Sequence, residues 1–141
     1  VKITARSLDV EEAREIHALA FAADDWVGDD HTFWAYYSGT PPRVAGFCSA
    51  ILHSPSPMEA FLSRSAVAFR VRGRGLQRRM IRDRVRWIAE HQPHARIVTY
   101  TLLDNYASIT NLILCGFRFY VPKRKWAHAG PSSVHYFKLG L

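Results

Sequence analysis

Residues 59–103 constrain the fold most. "EAFLSRSAVA" (59–68) is β-prone, "FRVRGRG" (69–75) sets two glycines between arginines, a helical period runs on to 91, and "ARIVTYTLL" (95–103) is β-prone again. Strand, turn, helix and strand in that order make a crossover, which places both strands parallel in one sheet. At about 100° per residue, Leu76, Met80, Ile81, Val85, Trp87 and Ile88 share one half of a helix over 75–91. Arg78, Arg79, Arg82 and Arg86 share the other half. Arg84 breaks the apolar half for no reason visible in the sequence, and Pro93 closes the segment.

The rest of the chain reads around this unit. "VKITAR" (1–6) is a short strand, and "LDVEEAREIHALAFA" is a helix with Asp9 as N-cap and Glu12 completing a capping box. Its apolar positions Ile16, Leu19, Ala20 and Ala23 fall at helical spacing. "DDWVGDD" (24–30) is a loop, while "TFWAYYS" (32–38), "GTPP" and "RVAGFCSAIL" (43–52) form a hairpin that continues through "HSPSP" into 59–68. A helix over 104–117 ends at Gly116, and strands over 117–121 and 134–141 flank the surface loop "KRKWAHAGPSS" (123–133). The order β-α-β-β-β-α-β-α-β-β is an α+β arrangement with a mixed sheet, in a single domain spanning 1–141. At 48% hydrophobic residues the chain has enough apolar material for one core. No apolar run approaches the roughly 20 residues of a membrane span, and the first residues lack a signal-peptide core. The expectation is a cytoplasmic protein, with Cys48 and Cys115 reduced and serving as packing residues. Neither the cysteines nor the seven histidines have ligand spacing, so no metal is expected.

The net charge of +7 is unevenly distributed. Arginines crowd residues 70–86, whereas residues 1–30 are acidic. A strand followed by Arg70-x-x-Gly73-x-Gly75 and a helix has a physical use: glycines let the backbone approach a ligand, and the first helical amides point at it. A pyrophosphate fits such a place. The dinucleotide fingerprint needs a third glycine where Arg78 stands, and the Gly-Lys-Ser/Thr of a triphosphate loop is absent.

Val67-x-x-Arg70-x-x-Gly73-Arg74-Gly75-Leu76, followed by a strand and then by Asn105, Ser108 and Cys115-Gly116-Phe117, resembles the GNAT superfamily of acyl-CoA-dependent N-acyltransferases. The resemblance spans nearly the whole chain and implies a mostly antiparallel twisted sheet of about seven strands with flanking helices. It implies acetyl-CoA as acyl donor and no metal. It also implies that the Arg70-x-x-Gly73-x-Gly75 motif holds the coenzyme A pyrophosphate, with the amides of Val71, Arg72, Gly73, Arg74, Gly75 and Leu76 around it. Val67 and Ala68 would pair with the pantetheine arm, and Asn105 and Ser108 would face the thioester end.

The implied reaction is attack of a neutral primary amine on the thioester. The tyrosine that often protonates the leaving thiolate is replaced here by Leu112, which leaves Tyr106, Ser108 and Tyr120 as substitutes by proximity. Glu59, at the start of the strand leading to the glycines, is the candidate base. Asp24, Asp25, Asp29 and Asp30, beside Trp26 and Trp34, suit a cationic small-molecule or protein amine. Two other readings stay open: a basic module gripping nucleic acid through 70–86, and a catalytically degenerate coenzyme A binder. The family often dimerises; no membrane partner is expected.

Overall fold

A computed structural model describes residues 2–21, 25–127 and 134–140. In chain order it has β1 (Ile3–Leu8), α1 (Val10–Ala20), β2 (Thr32–Ser38), β3 (Arg43–Leu52) and β4 (Glu59–Val67). A 3-10 turn (Phe69–Val71) leads into α2 (Leu76–His91), followed by β5 (Arg96–Leu102), α3 (Tyr106–Leu114), β6 (Phe117–Phe119) and β7 (Val134–Leu139). One seven-stranded sheet runs β1-β2-β3-β4-β5-β7-β6, antiparallel throughout except for the parallel pair β4–β5 that the crossover requires. None of the described helices is long and apolar enough to cross a membrane.

α2 and α3 cover one sheet face. Ala60 and Leu62 of β4, Ile97 of β5 and Phe137 of β7 are buried beneath Ile81, Ile88 and Leu112, each large side chain contributing about 1.5–3 kcal/mol. Gly46 of β3 permits the approach of α2: a Cβ there would stand 3.0 Å from both Leu76 Cδ2 and Met80 Sδ. α1 covers the opposite face over Phe33 and Phe47. Its capping box forms as read, with the Glu12 amide donating to Asp9 Oδ1 at 2.8 Å. Its buried face does not: Ala13 and His17 are inside, while Leu19 is 88% exposed. The His17 ring lies among Phe21, Trp26 and Phe47, a packing that hydropathy periodicity cannot register. Val1, Ala23, the loop residues 128–133 and Leu141 lie outside the described residues.

Arg84 has its explanation in the β3–β4 pair. The register shifts between Cys48 and Ala50, where Ser49 Oγ lies 2.6 Å from Ser63 Oγ and accepts the Arg64 amide at 2.9 Å. Such a bulge frees peptide carbonyls and bends its strand. The Arg84 guanidinium supplies the missing donors, with Nη1 donating to the carbonyls of Ser49 at 3.1 Å and Arg64 at 3.5 Å, and Nε to that of Met80 at 3.0 Å. Just before the bulge β4 leaves β5: their ladder joins Glu59–Phe61 to Arg96–Val98 and stops.

Candidate active-site cleft

The gap that opens beyond Phe61 is the cleft. In an antiparallel ladder alternate residues turn their peptide groups toward the neighbouring strand. Ala68 donates to Ala45 O at 2.7 Å, so in the continuous register down to Cys48–Ser65 the peptide groups of Ser65 and Val67 face away from β3, into the gap. Arg72 Nε, donating to Val67 O at 3.3 Å, agrees with that orientation. The amide of Ala68, expected to meet the pantetheine arm, is spent on β3.

At the mouth of the gap, the amides of Val71 and Arg72 return to the carbonyls of Ala68 and Phe69. Gly73 and Gly75 then take φ of 79° and 78°, a region that favours glycine. Gly75 is the N-cap of α2 without any side-chain cap, and the helix's first backbone bond runs from Arg79 N to Gly75 O. The amides of Leu76, Gln77 and Arg78 therefore have no intrahelical partner and carry the positive end of the dipole. A Cβ at Gly73 would meet nothing within 4 Å. A cavity of about 630 Å³ lies against this turn, bordered by Val67, Val71, Arg72, Gly73, Gly75, Leu76, Asn105 and Ser108 of the expected coenzyme residues. Ala68, Arg70 and Arg74 are not on its wall. Arg70 points the other way, its guanidinium donating to Ser38 Oγ at 2.7 Å and to the carbonyls of Arg43 and Val44, so that it pins the turn to the β2–β3 hairpin.

A deeper cavity of about 320 Å³ continues between β4 and β5 and shares Phe21, Ser65, Gln77, Asn105 and Ser108 with the first. Leu62, Ile81, Arg84, Tyr100, Thr101 and Leu112 complete much of its wall. Gln77 ties the two helices across the junction: its Nε2 donates to Ser108 Oγ at 2.8 Å, and Asn111 Nδ2 donates to its Oε1 at 2.7 Å. Asn105 caps α3 by accepting the Ser108 amide at 3.3 Å.

Of the expected catalytic residues, Ser108 borders both cavities and the others border neither. Glu59 stands at the closed end of the β4–β5 pair, opposite Arg96. Tyr120 accepts a bond from Trp126 Nε1 at 3.2 Å, and burial pushes its hydroxyl pKa up. Tyr106 is 73% exposed at the start of α3. The expected acceptor residues also lie off both walls. Trp26 stacks on Phe33 and donates to Asp29 Oδ1 at 2.7 Å. That bond and the Arg14 guanidinium at 2.8 Å hold the Asp29 carboxyl below its ordinary range. Trp34 packs edge-on against Trp87 of α2, at 5.3 Å, on the other sheet face from α1. Asp25 is exposed, with its carbonyl accepting from Arg64 Nη2 at 3.0 Å, and Asp24 lies outside the described residues. Among the described residues, no Asp, Glu, His or Cys borders either cavity, and none of these side chains form a group able to hold a metal ion. Sequence reasoning missed Ser65, Gln77, Tyr100 and Thr101 as wall residues; the sole signal in the sequence was the break at Arg84.

The model of the acetyltransferase (GNAT) family matches residues 4–117. No curated protein matches the chain. Among solved structures, the IAA acetyltransferase from Bacillus cereus superposes with a TM-score of 0.77 at 14% identity, covering 99% of this chain and 100% of that one. A Bacillus subtilis acetyltransferase in complex with CoA gives 0.74 at 15%, covering 99% of each chain. The ribosomal-protein-S18-alanine N-acetyltransferase from Escherichia coli gives 0.72 at 18%, covering 98% of this chain and 93% of that one. At these identities the likeness is one of fold.

Proposed function

The chain belongs to the acetyltransferase (GNAT) family of acyl-CoA-dependent N-acyltransferases, and from that premise we propose that it transfers an acetyl group from acetyl-CoA to a primary amine in the cleft between β4 and β5. The observation that carries this reading is the continuity of the open glycine turn with the deeper cavity through Ser65, Gln77 and Ser108. In it, the pyrophosphate takes the free amides around Gly73 and the start of α2, and the Val67 peptide group pairs with the pantetheine arm. The Ser65 amide donates to the thioester carbonyl and strengthens that bond as negative charge develops on oxygen.

The amine lone pair forms the C–N bond, the C–S bond breaks with its electrons on sulfur, and the proton lost from nitrogen goes to solvent. Coenzyme A thiolate needs little help as a leaving group, which accommodates Leu112. Among the described residues no carboxylate, imidazole or thiol borders the cleft, so the amine reaches the thioester already neutral, having lost its ammonium proton to solvent. The acidic loop lends no support to a strongly cationic acceptor, because Asp29 is already paired and no described carboxylate faces the cleft. At least half of the eight arginines in the basic block are engaged within the fold and so lend little to nucleic-acid binding. Arg70, Arg79 and Arg84 donate to carbonyls of the fold, and Arg86 pairs with Asp83.

Thermal unfolding with acetyl-CoA, followed by thiol release on adding primary amines, tests the reading. A hundredfold excess over Kd adds about 2.7 kcal/mol, a Tm rise of about 5–10 °C for this length. Turnover is expected to survive in Glu59→Gln; a tenfold fall in kcat would return the base to that residue. Stabilisation without turnover on any amine indicates a coenzyme binder. Stabilisation by an oligonucleotide and not by acetyl-CoA overturns the reading.

A further inference from the structure

Building on the acyltransferase reading, we propose that the deeper cavity receives a carboxylate of the reacting substrate on Arg84, so that the acceptor is an amine that also carries a carboxylate, as an amino acid does.

Arg84 is 3% exposed yet borders the cavity. Its Nε and Nη1 are spent on three carbonyls, and among the described residues its Nη2 makes no bond and no carboxylate pairs with it. Dipoles can satisfy the donors on one edge of a guanidinium, but a buried charge without a counter-ion is costly. The bulge alone calls for a donor and not for a fixed cation. Two other groups point to a ligand. Thr101 Oγ1 and Ser65 Oγ are buried without a hydrogen-bond partner, and both residues border this cavity, Thr101 at 7% exposure. They sit on β5 and β4, on opposite sides of the gap. Where paired strands separate, hydroxyls lose the neighbours they would otherwise meet, and a group placed between the strands restores them.

An open guanidinium edge beside two unpartnered hydroxyls, on a wall with no described carboxylate, fits an anion with several lone pairs once those hydroxyls turn toward it. The neighbouring Leu62, Ile81 and Leu112 suit a singly charged carboxylate on a short carbon chain better than a doubly charged phosphate; Arg64 also borders the cavity, with its Nη2 donating to the Asp25 carbonyl and its guanidinium over the Phe21 ring. A volume of about 320 Å³ is of small-molecule size. The same carboxylate could arrive on the acyl chain of a dicarboxylic acyl-CoA, and the assay separates the two sources.

With acetyl-CoA as donor, 4-aminobutyrate, β-alanine and leucine are compared with butylamine, propylamine and leucinamide by thiol release. The carboxylates are expected to show kcat/KM about ten- to a hundredfold higher, the range of one hydrogen bond to a charged group. Thr101→Val keeps shape and removes a hydroxyl that bonds nothing in the fold, so its Tm should not fall while the preference shrinks several-fold. Arg84→Lys, if it folds, should abolish the preference. Succinyl-CoA outrunning acetyl-CoA on butylamine, with that advantage reduced in Thr101→Val, would assign the carboxylate to the acyl chain. Equal or faster turnover of carboxylate-free amines with acetyl-CoA, and no succinyl-CoA advantage, overturns the proposal and leaves acyl transfer intact. If no amine turns over, the Tm of the coenzyme A-loaded protein with and without 4-aminobutyrate decides, and no shift overturns the proposal. If acetyl-CoA itself does not bind, the acyltransferase reading fails, and the same shift measured on the free protein still tests the carboxylate site.

Discussion

Gly73 separates the cost of folding from the cost of binding. Its φ is 79° and the space beyond its Cα is open, so a side chain there strains the backbone and touches nothing. Asn and Asp tolerate positive φ better than other residues, and each replacement costs about 1 kcal/mol of stability, a few degrees in Tm. Asn and Asp are nearly isosteric, so the difference between the two variants in coenzyme affinity isolates charge. A pyrophosphate held by the amides that follow would lie about one residue's reach, roughly 5 Å, from a carboxylate at position 73. Between effective dielectrics of 80 and 20, each like charge there costs about 1–3 kcal/mol. Gly73→Asp is therefore expected to bind coenzyme A about ten- to a hundredfold more weakly than Gly73→Asn by titration calorimetry. The gap should narrow in high salt, because the site is open to solvent. Equal Kd values for the two variants, with both folded, would mean that no phosphate lies against this turn.

Gly46→Ala tests the opposite situation, a methyl pressed into Leu76 and Met80 at 3.0 Å. Overpacking of this kind costs about 1–3 kcal/mol, and because it lifts the first turn of α2 it should lower both Tm and acetyl-CoA affinity; an unchanged Tm would show that the two side chains yield freely. Burial pushes the Cys48 thiol up to about 11, against 9 for an ordinary thiol, so between those values the native state holds a proton that the unfolded chain has released. The resulting stability is fully present below pH 9 and is lost as pH rises toward 11, at up to about 1.4 kcal/mol per pH unit. Urea midpoints from pH 8.5 to 10.5 should fall less steeply in Cys48→Ala, and parallel slopes would refute the assignment. Tyr36, buried and donating to Asp83 at 2.8 Å, is raised in the same direction and keeps some of the slope in that variant.

Local chemistry determined much of this protein before any contact was known. Periodicity and turn residues set the order of strands and helices, the crossover required β4 and β5 to lie parallel, and Asp9 and Gly116 marked helix ends where they stand. The glycine turn was legible for the same reason: positive φ and a bare helix N-terminus are properties of a few consecutive residues. The cleft's interior was not. Whether Ser65 faces β3 or the gap depends on the register of a partner strand, and Thr101 becomes a wall residue because β4 bends away from it. Glu59 and Ser65 share one strand in sequence, yet the end of the ladder at Phe61 sets one at the closed end and the other in the opening. Arg84 read as a flaw in an apolar face because the carbonyls it serves belong to Ser49 and Arg64, 35 and 20 residues away in the chain. A buried charge is justified by its surroundings, and only the folded chain assembles those.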